Sequence, residues 1–122
     1  MYGKELILDM AECDVSRFNR LDIRKFMRIL CDDVINMQRE LLVFWDDEET
    51  ADNERQTNPK TKGTTAVQFI LTSNVTIHTL DLLEKVYLNI FSCKDFDDDA
   101  ATRFSVAYFN GKLIKRTSIE RE

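Results

Sequence analysis

Three side chains in the second half of the sequence are of types that could carry out chemistry together: Ser73, His78 and Cys93. A hydroxyl can attack a carbonyl carbon, an imidazole that titrates near neutrality can move a proton, and a thiol can donate one. Each residue also has a structural explanation, because serines form turns, a lone histidine in a strand is usually hydrogen-bonded, and cysteines pack as small apolar residues. Residue type alone therefore gives a hypothesis for a site.

The composition limits what kind of protein holds these residues. The chain has 122 residues, with 17 Lys and Arg against 22 Asp and Glu, a net charge of −5 and 43% apolar residues. These values predict one globular domain, residues 1–122, with a core of its own. The acidic balance argues against a nucleic-acid partner, and no apolar run is long enough to cross a membrane. We therefore expect a cytoplasmic protein.

The cysteines and the single histidine do not form a metal-binding pattern. Cys13, Cys31 and Cys93 are odd in number and irregularly spaced, which fits neither a disulfide framework nor a zinc site. One histidine cannot supply the two or three imidazoles of common metal centres. We predict no metal site.

Two helices are expected from the spacing of apolar residues. Ile23, Met27 and Leu30 recur at helical intervals in a segment that we predict as a helix over 21–37. A second helix is predicted over 100–108, where three aspartates at 97–99 supply an acidic N-cap and first turn. Both helices are amphipathic, so each must cover an apolar surface.

Short β-rich segments make up most of the rest. We predict strands over 5–10, 40–45, 65–71, 75–80, 85–93 and 113–119. The junction at Thr72, Ser73 and Asn74 lacks Gly and Pro, so we predict no simple hairpin turn there. This order of elements predicts an α+β fold: a two-layer sandwich with a mostly antiparallel sheet and two main helices on one face.

One long segment, 46–63, shows no apolar periodicity. Six carboxylates fall between Asp46 and Glu54, which could attract a cationic ligand. A solvated surface loop is the more common explanation for such a run. Lys60 and Lys62 at its end make the surface less uniformly acidic.

The sequence resembles the small prokaryotic S-adenosylmethionine decarboxylases. Members of that family characteristically read Gly-x-Ser-Gly, then Glu-Ser-His-x-x-Ile-His-Thr-Trp-Pro-Glu, then Phe-Thr-Cys-Gly. The corresponding stretches agree in spacing without a gap from Ser73 to Cys93, and the likeness covers nearly the whole chain apart from the long acidic loop 46–62. The matching segments are Gly3-Lys4-Glu5-Leu6, Glu12-Cys13-Asp14, Gly63-Thr64-Thr65-Ala66, 72–82 and Phe91-Ser92-Cys93-Lys94.

The resemblance implies a self-made cofactor, a covalent pyruvoyl group. Decarboxylation leaves electrons on carbon, and a carbonyl that forms a Schiff base with the substrate amine can accept them. In the family a serine hydroxyl attacks the preceding carbonyl, and β-elimination from the resulting ester leaves the pyruvoyl group. For this chain the resemblance implies that Ser73 is the precursor of the pyruvoyl group. The chain would be cut after Thr72 into a β-chain, 1–72, and an α-chain, 73–122.

The resemblance also implies roles for three supporting residues. His78 corresponds to the base that removes the serine α-proton during processing. Thr65 stands where the family has a serine that steadies the processing intermediate. Cys93 corresponds to the acid that returns a proton to the substrate carbon.

The departures from the family pattern cluster at the positions that hold the nucleoside. The family's Trp-Pro-Glu is Leu80-Asp81-Leu82 here, and a leucine neither stacks like an aromatic ring nor accepts a hydrogen bond from a ribose hydroxyl. The family's residues on either side of the serine are replaced by Thr72 and Asn74. The residues left as substrate-binding candidates are Phe44, Trp45, Asn74 and Asp81.

Three functions remain open at this point. The first is decarboxylation of S-adenosylmethionine for spermidine synthesis, and the second is the same chemistry on a basic amino acid such as ornithine or arginine. The third is a non-catalytic, unprocessed homologue that binds or regulates a partner. The resemblance further implies a homodimer with active sites formed between subunits, and both substrates considered are small cations.

Overall fold

Six strands form one sheet in the computed structural model, which describes residues 1–122. Their order across the sheet is β2-β3-β4-β5-β1-β6, and every neighbouring pair is antiparallel. The fold is therefore the predicted α+β sandwich. The strands are β1 (Gly3–Ala11), β2 (Arg39–Trp45), β3 (Thr65–Ile70), β4 (Ser73–Leu80), β5 (Lys85–Ser92) and β6 (Lys112–Arg121).

Two helices cover one face of this sheet: α1 (Arg20–Ile29) and α2 (Asp98–Tyr108). Each begins at a side-chain cap. Asn19 accepts a hydrogen bond from the backbone N–H of Asp22, and Asp97 accepts one from Ala100 at 3.0 Å. These bonds satisfy amide groups that the first helical turn leaves free.

The core lies between the helices and the sheet. Alternate residues of each central strand are fully buried under the helices, as Leu6 and Leu8 are in β1 and Leu88 and Ile90 are in β5. Phe26 of α1 is also fully buried and stacks on Phe104 of α2 at 5.5 Å between ring centroids. The other face of the sheet carries no helix, so its side chains are available to the functional site.

The first helix is shorter than predicted. Regular α-helix ends at Ile29, and Leu30–Val34 forms a wider turn in which Ile35 N–H donates to the Leu30 carbonyl. The apolar spacing continues through this turn and keeps Leu30 and Cys31 in the core. Periodicity therefore located the buried face correctly but gave no sign of the change in winding.

The prediction that 72–74 makes no simple hairpin was wrong. Ile70 pairs directly with Ser73, so Leu71 and Thr72 alone form the loop between β3 and β4. Pairing continues from there to Thr65 and His78. The turn forms without Gly or Pro because the paired strands on both sides fix its two ends.

The acidic segment 46–62 is held by one ion pair within the segment and another to α1. Asp46 accepts from Arg55 at 3.3 Å, and Asp47, which is 4% exposed, accepts from Arg20 at 2.6 Å. Gly63 closes the segment where a Cβ would stand 1.6 Å from the carbonyl oxygen of Thr79. Only glycine fits this contact, which brings the end of the loop against β4.

No helix in the structure combines the length and the apolar character needed to cross a membrane.

Candidate active site

The β3–β4 hairpin places Ser73 at the first position of β4. The turn that precedes Ser73 is held in place by a hydrogen bond in which the backbone N–H of Leu71 donates to the carbonyl of Gln38 at 3.0 Å. Ser73 also pairs with Ser92 of the neighbouring strand β5, and this register puts Cys93 beside Thr72. The serine and the cysteine that the sequence singled out therefore lie at the same end of the sheet.

The carbonyl of Thr72, which precedes Ser73, accepts two hydrogen bonds from one residue. The backbone N–H of Cys93 donates to this oxygen at 3.2 Å and the Cys93 thiol donates at 3.3 Å. Two donors aimed at one carbonyl oxygen polarise the bond and stabilise negative charge that develops on that oxygen. The geometry suits nucleophilic attack on the Thr72 carbonyl carbon.

The side chain of Thr72 points to a buried hydroxyl, that of Ser92, which residue type and spacing do not single out. Its Oγ1 is 2.8 Å from Ser92 Oγ, and Ser92, fully buried, also accepts from the backbone N–H of Lys94 at 3.0 Å. Met37 Sδ lies 3.5 Å from the same threonine hydroxyl. These contacts fix the position of the Thr72 peptide. They depend on the pairing of β4 with β5, which cannot be read from one sequence.

Asn74 is hydrogen-bonded to the serine hydroxyl. Its Nδ2 donates to Ser73 Oγ at 3.1 Å, while its Oδ1 accepts from Thr76 at 3.2 Å. The serine oxygen is thus oriented by a neutral amide. Asn74 belongs to the group around Ser73.

His78 and Thr65 form a second group farther along the same strands. Thr65 Oγ1 and His78 Nδ1 are 2.7 Å apart, across the β3–β4 ladder. Trp45 and Tyr87 flank this pair in register, so four side chains form one row across the sheet. The row lies on the face that carries no helix.

Burial and nearby carboxylates act in opposite directions on His78. Burial lowers the pKa of His78, and the charges of Asp81 and Asp46 partly oppose that shift. The pKa of Asp81 is itself raised by burial, while a hydrogen bond from Thr79 at 3.2 Å favours the carboxylate. A neutral imidazole beside a carboxylate is suited to accept a proton near neutral pH.

The two groups are far apart within one chain. Ser73 and His78 are five positions apart in β4, which at a rise of about 3.3 Å per residue is roughly 16 Å. Their odd separation also puts them on opposite sides of a regularly alternating strand. A single chain therefore does not bring Ser73 and His78 into contact.

The two aromatic substrate-binding candidates lie on different faces. Trp45 pairs with Thr65 and is 74% exposed, so it stands beside the histidine. Phe44 lies under α1, where the guanidinium groups of Arg20 and Arg24 are 4.4 and 5.6 Å from its ring centroid. Phe44 and Trp45 nevertheless both line one cavity of about 380 Å³ at the histidine end of the sheet.

Comparison with known proteins identifies the family. A sequence model of the S-adenosylmethionine decarboxylase family matches residues 4–122. The chain therefore belongs to this family of carboxy-lyases. A search of curated protein sequences gives no significant match.

The fold is similar to that of a solved family member. The crystal structure of the adenosylmethionine decarboxylase from Aquifex aeolicus superposes with a TM-score of 0.75 at 20% sequence identity. The alignment covers 98% of this chain and 90% of the other. At this identity the likeness establishes the shared architecture.

Proposed function

We propose that this protein is a self-processing, pyruvoyl-dependent decarboxylase that cuts its own chain between Thr72 and Ser73. The observation that carries the proposal is the pair of Cys93 donors on the Thr72 carbonyl, directly before a serine at the start of a strand. A carbonyl held in this way is prepared for attack by the adjacent hydroxyl.

The first step is an acyl shift. Ser73 Oγ bonds to the Thr72 carbonyl carbon, the hydroxyl proton is transferred to the Ser73 nitrogen, and the bond from that carbon to the nitrogen breaks. The product is an ester that links the two halves of the chain, with a free amine on residue 73. Negative charge that forms on the Thr72 oxygen in between is met by the N–H and S–H groups of Cys93.

The second step is an elimination that needs a base. An imidazole removes the Ser73 α-proton, and the bond from Cβ to the ester oxygen breaks, releasing Thr72 as a carboxylate. Loss of ammonia through addition of water to the remaining α-chain terminus leaves a ketone at position 73. His78 is the base in this proposal, with Nδ1–H donating to Thr65 so that Nε2 is free to accept the proton.

The residues at the hairpin fit a pyruvoyl group. Once formed, that group supplies a carbonyl that accepts the electrons left when carbon dioxide departs. Ser73 is partly accessible at the strand end, and the exposed Cys93 thiol lies beside it. In the proposed reaction Cys93 donates a proton to the substrate carbon.

A homodimer with shared sites would resolve the separation of the two groups. A twofold axis near the middle of β4 reverses the strand direction, so it would place the Ser73 end of one subunit over the His78 end of its partner. Because Ser73 is the first residue of β4, the partner's His78 would reach it around the end of the strand and not across the sheet. Each dimer would then hold two equivalent sites. The Ser73 and Cys93 group would come from one chain and the Thr65 and His78 group from the other.

The face without helices has the composition of an interface. Val43 of β2 is 43% exposed, Phe69 of β3 is 45% exposed and Ile119 of β6 is 44% exposed, on the same sheet face as the Thr65 and His78 pair. Apolar side chains on an open sheet face are stabilised when a second surface covers them. We propose that the covering surface is the same sheet face of a second copy of this chain.

S-adenosylmethionine is the substrate that family membership favours. A basic amino acid is the second candidate, because a cavity of about 380 Å³ near the histidine end is lined by Trp45, Glu49 and Glu54. An aromatic ring with carboxylates suits a small cation. Leu80 is buried and Leu82 is 56% exposed, and neither can hold a ribose hydroxyl.

Intact mass and carbon dioxide release test the proposal together. We expect the purified protein to contain two chains, 1–72 and 73–122, with a borohydride-sensitive carbonyl on the second. Carboxyl-labelled S-adenosylmethionine, ornithine and arginine are then compared with the same processed sample. Release from S-adenosylmethionine alone would reject the basic amino acids, and one uncut chain with no release would favour the non-catalytic homologue.

The pH dependence of self-cleavage tests the role of His78. Since burial lowers the pKa of His78, its neutral, proton-accepting form persists below the usual imidazole value of about 6.5. We expect the cleavage rate to be constant from neutral pH upward and to fall only below that value. Time courses of intact mass after refolding at different pH values measure the rate.

Thr65 offers a matched pair of variants for the same experiment. Thr65→Val keeps the shape but removes the hydroxyl that holds Nδ1, and we expect cleavage slower by roughly tenfold, while Thr65→Ser restores most of the rate. Equal rates for the two variants, or a rate that is still rising at pH 8 to about 9, above the range of such an imidazole, would contradict this assignment.

A further inference from the structure

A groove between α1 and the edge strand β2 has no place in the proposed reaction. Its volume is about 430 Å³, and it is lined mainly by cationic and apolar side chains. We propose that this groove binds a small phosphate-bearing molecule through the free arginines of α1. The residues that carry the proposal are Leu21, Arg24, Lys25, Arg28, Leu41 and Gln68.

The lining of this groove has four cationic side chains and one carboxylate, that of Glu40, which accepts from Gln38 at 2.9 Å. Arg24, Lys25 and Arg28 form no ion pair within 4.0 Å, although the chain carries 22 acidic residues. Most other arginines are paired, including Arg39 at the groove wall, which holds Asp32 through two bonds of 2.8 and 3.0 Å. Three free cations on an otherwise acidic protein form a local positive surface.

The spacing of these cations suits adjacent phosphates. Arg24 and Arg28 are one helical turn apart, which puts their Cβ atoms about 5–6 Å from each other on one side of α1. Both side chains are exposed, so their guanidinium groups can converge on one ligand. Guanidinium groups bind phosphate oxygens through paired, charge-assisted hydrogen bonds.

The rest of the groove suits an uncharged part of the same ligand. Leu21 is 77% exposed and Leu41 is 67% exposed, and they face the groove from the helix and from the strand. Between them the buried amide of Gln68 donates to the carbonyl of Glu40 at 3.0 Å, where the β2–β3 pairing skips from Arg39 to Leu42. Apolar walls beside a cationic end fit an organic phosphate better than a free ion.

The groove is separate from the residues of the proposed reaction. It lies at the edge of the sheet on the side of α1, whereas Thr65 and His78 lie on the face without helices. The binding proposal therefore does not depend on self-cleavage or on decarboxylation. Failure of either function leaves the binding test valid.

Calorimetric titration at low ionic strength tests the groove with three probes. Inorganic triphosphate supplies the charges alone, adenosine triphosphate adds an organic group, and a short single-stranded oligonucleotide serves as an extended polyanion. We expect saturable one-to-one binding of both triphosphates, tighter for the nucleotide and weaker as salt is added. Absence of triphosphate binding, or tighter binding of the oligonucleotide, would overturn the assignment to a small phosphate compound.

Two double variants with the same net charge locate the binding. Arg24→Gln with Arg28→Gln removes both helix cations, and we expect at least about tenfold weaker triphosphate binding. Arg103→Gln with Lys112→Gln removes two exposed charges elsewhere and is expected to leave binding within about twofold of the parent. A similar loss in both variants would show that only net charge matters and would overturn the site.

Discussion

Replacing Ser73 with alanine is expected to leave a single chain of full length and no decarboxylase activity. Alanine has no oxygen to attack the Thr72 carbonyl, and without the cut no carbonyl forms at position 73. We expect activity to fall by at least about 10⁴-fold, since no other side chain can take over electron acceptance. Intact mass and labelled carbon dioxide release measure the two losses on one sample.

Cys93→Ala is the variant that separates processing from turnover. The backbone N–H that donates to the Thr72 carbonyl at 3.2 Å remains, so we expect cleavage to continue, more slowly. The thiol that donates at 3.3 Å is lost, and turnover should fall by about 10²-fold or more. A processed Cys93→Ala protein with normal turnover would refute the assignment of Cys93 as the proton donor, and cleavage of Ser73→Ala would refute the precursor.

Much of the fold follows from the period of the apolar residues. Alternation in 85–93 predicted β5, and Val86, Leu88 and Ile90 are indeed the buried side of that strand. The aspartates at 97–99 predicted the start of α2, which Asp97 caps. Both signals are local, and local signals can be read from one sequence.

The candidate site could be predicted only in part, because its contacts depend on strand register. Sequence spacing identified Ser73, His78 and Cys93, but the Thr72 and Ser92 hydroxyl pair forms only because Ser73 is opposite Ser92. Similarly, Phe44 and Trp45 are adjacent in sequence and point to opposite faces of β2. Pairing between distant segments decides such contacts.

The distance between Ser73 and His78 leads to the second large effect. Alone, Ser73→Ala and His78→Ala should each be unprocessed and inactive. Expressed together, they would form mixed dimers in which one site has Ser73 and Cys93 from the His78→Ala chain and His78 from the Ser73→Ala chain. With random pairing half of the dimers are mixed and each has one complete site, so we expect about a quarter of the parent activity.

The control combines two variants whose substituted residues, Ser73 and Cys93, belong to the same subunit's half of the site. Ser73→Ala expressed with Cys93→Ala never places an intact serine and an intact cysteine in one site, because both residues come from the same subunit. We therefore expect no recovery of turnover from that mixture. Recovery in both mixtures, or in neither while the proteins dimerise, would mean that Ser73 and His78 do not meet across a subunit interface. Native mass spectrometry of each mixture establishes the dimer content, and the cut chains must carry only the His78→Ala sequence.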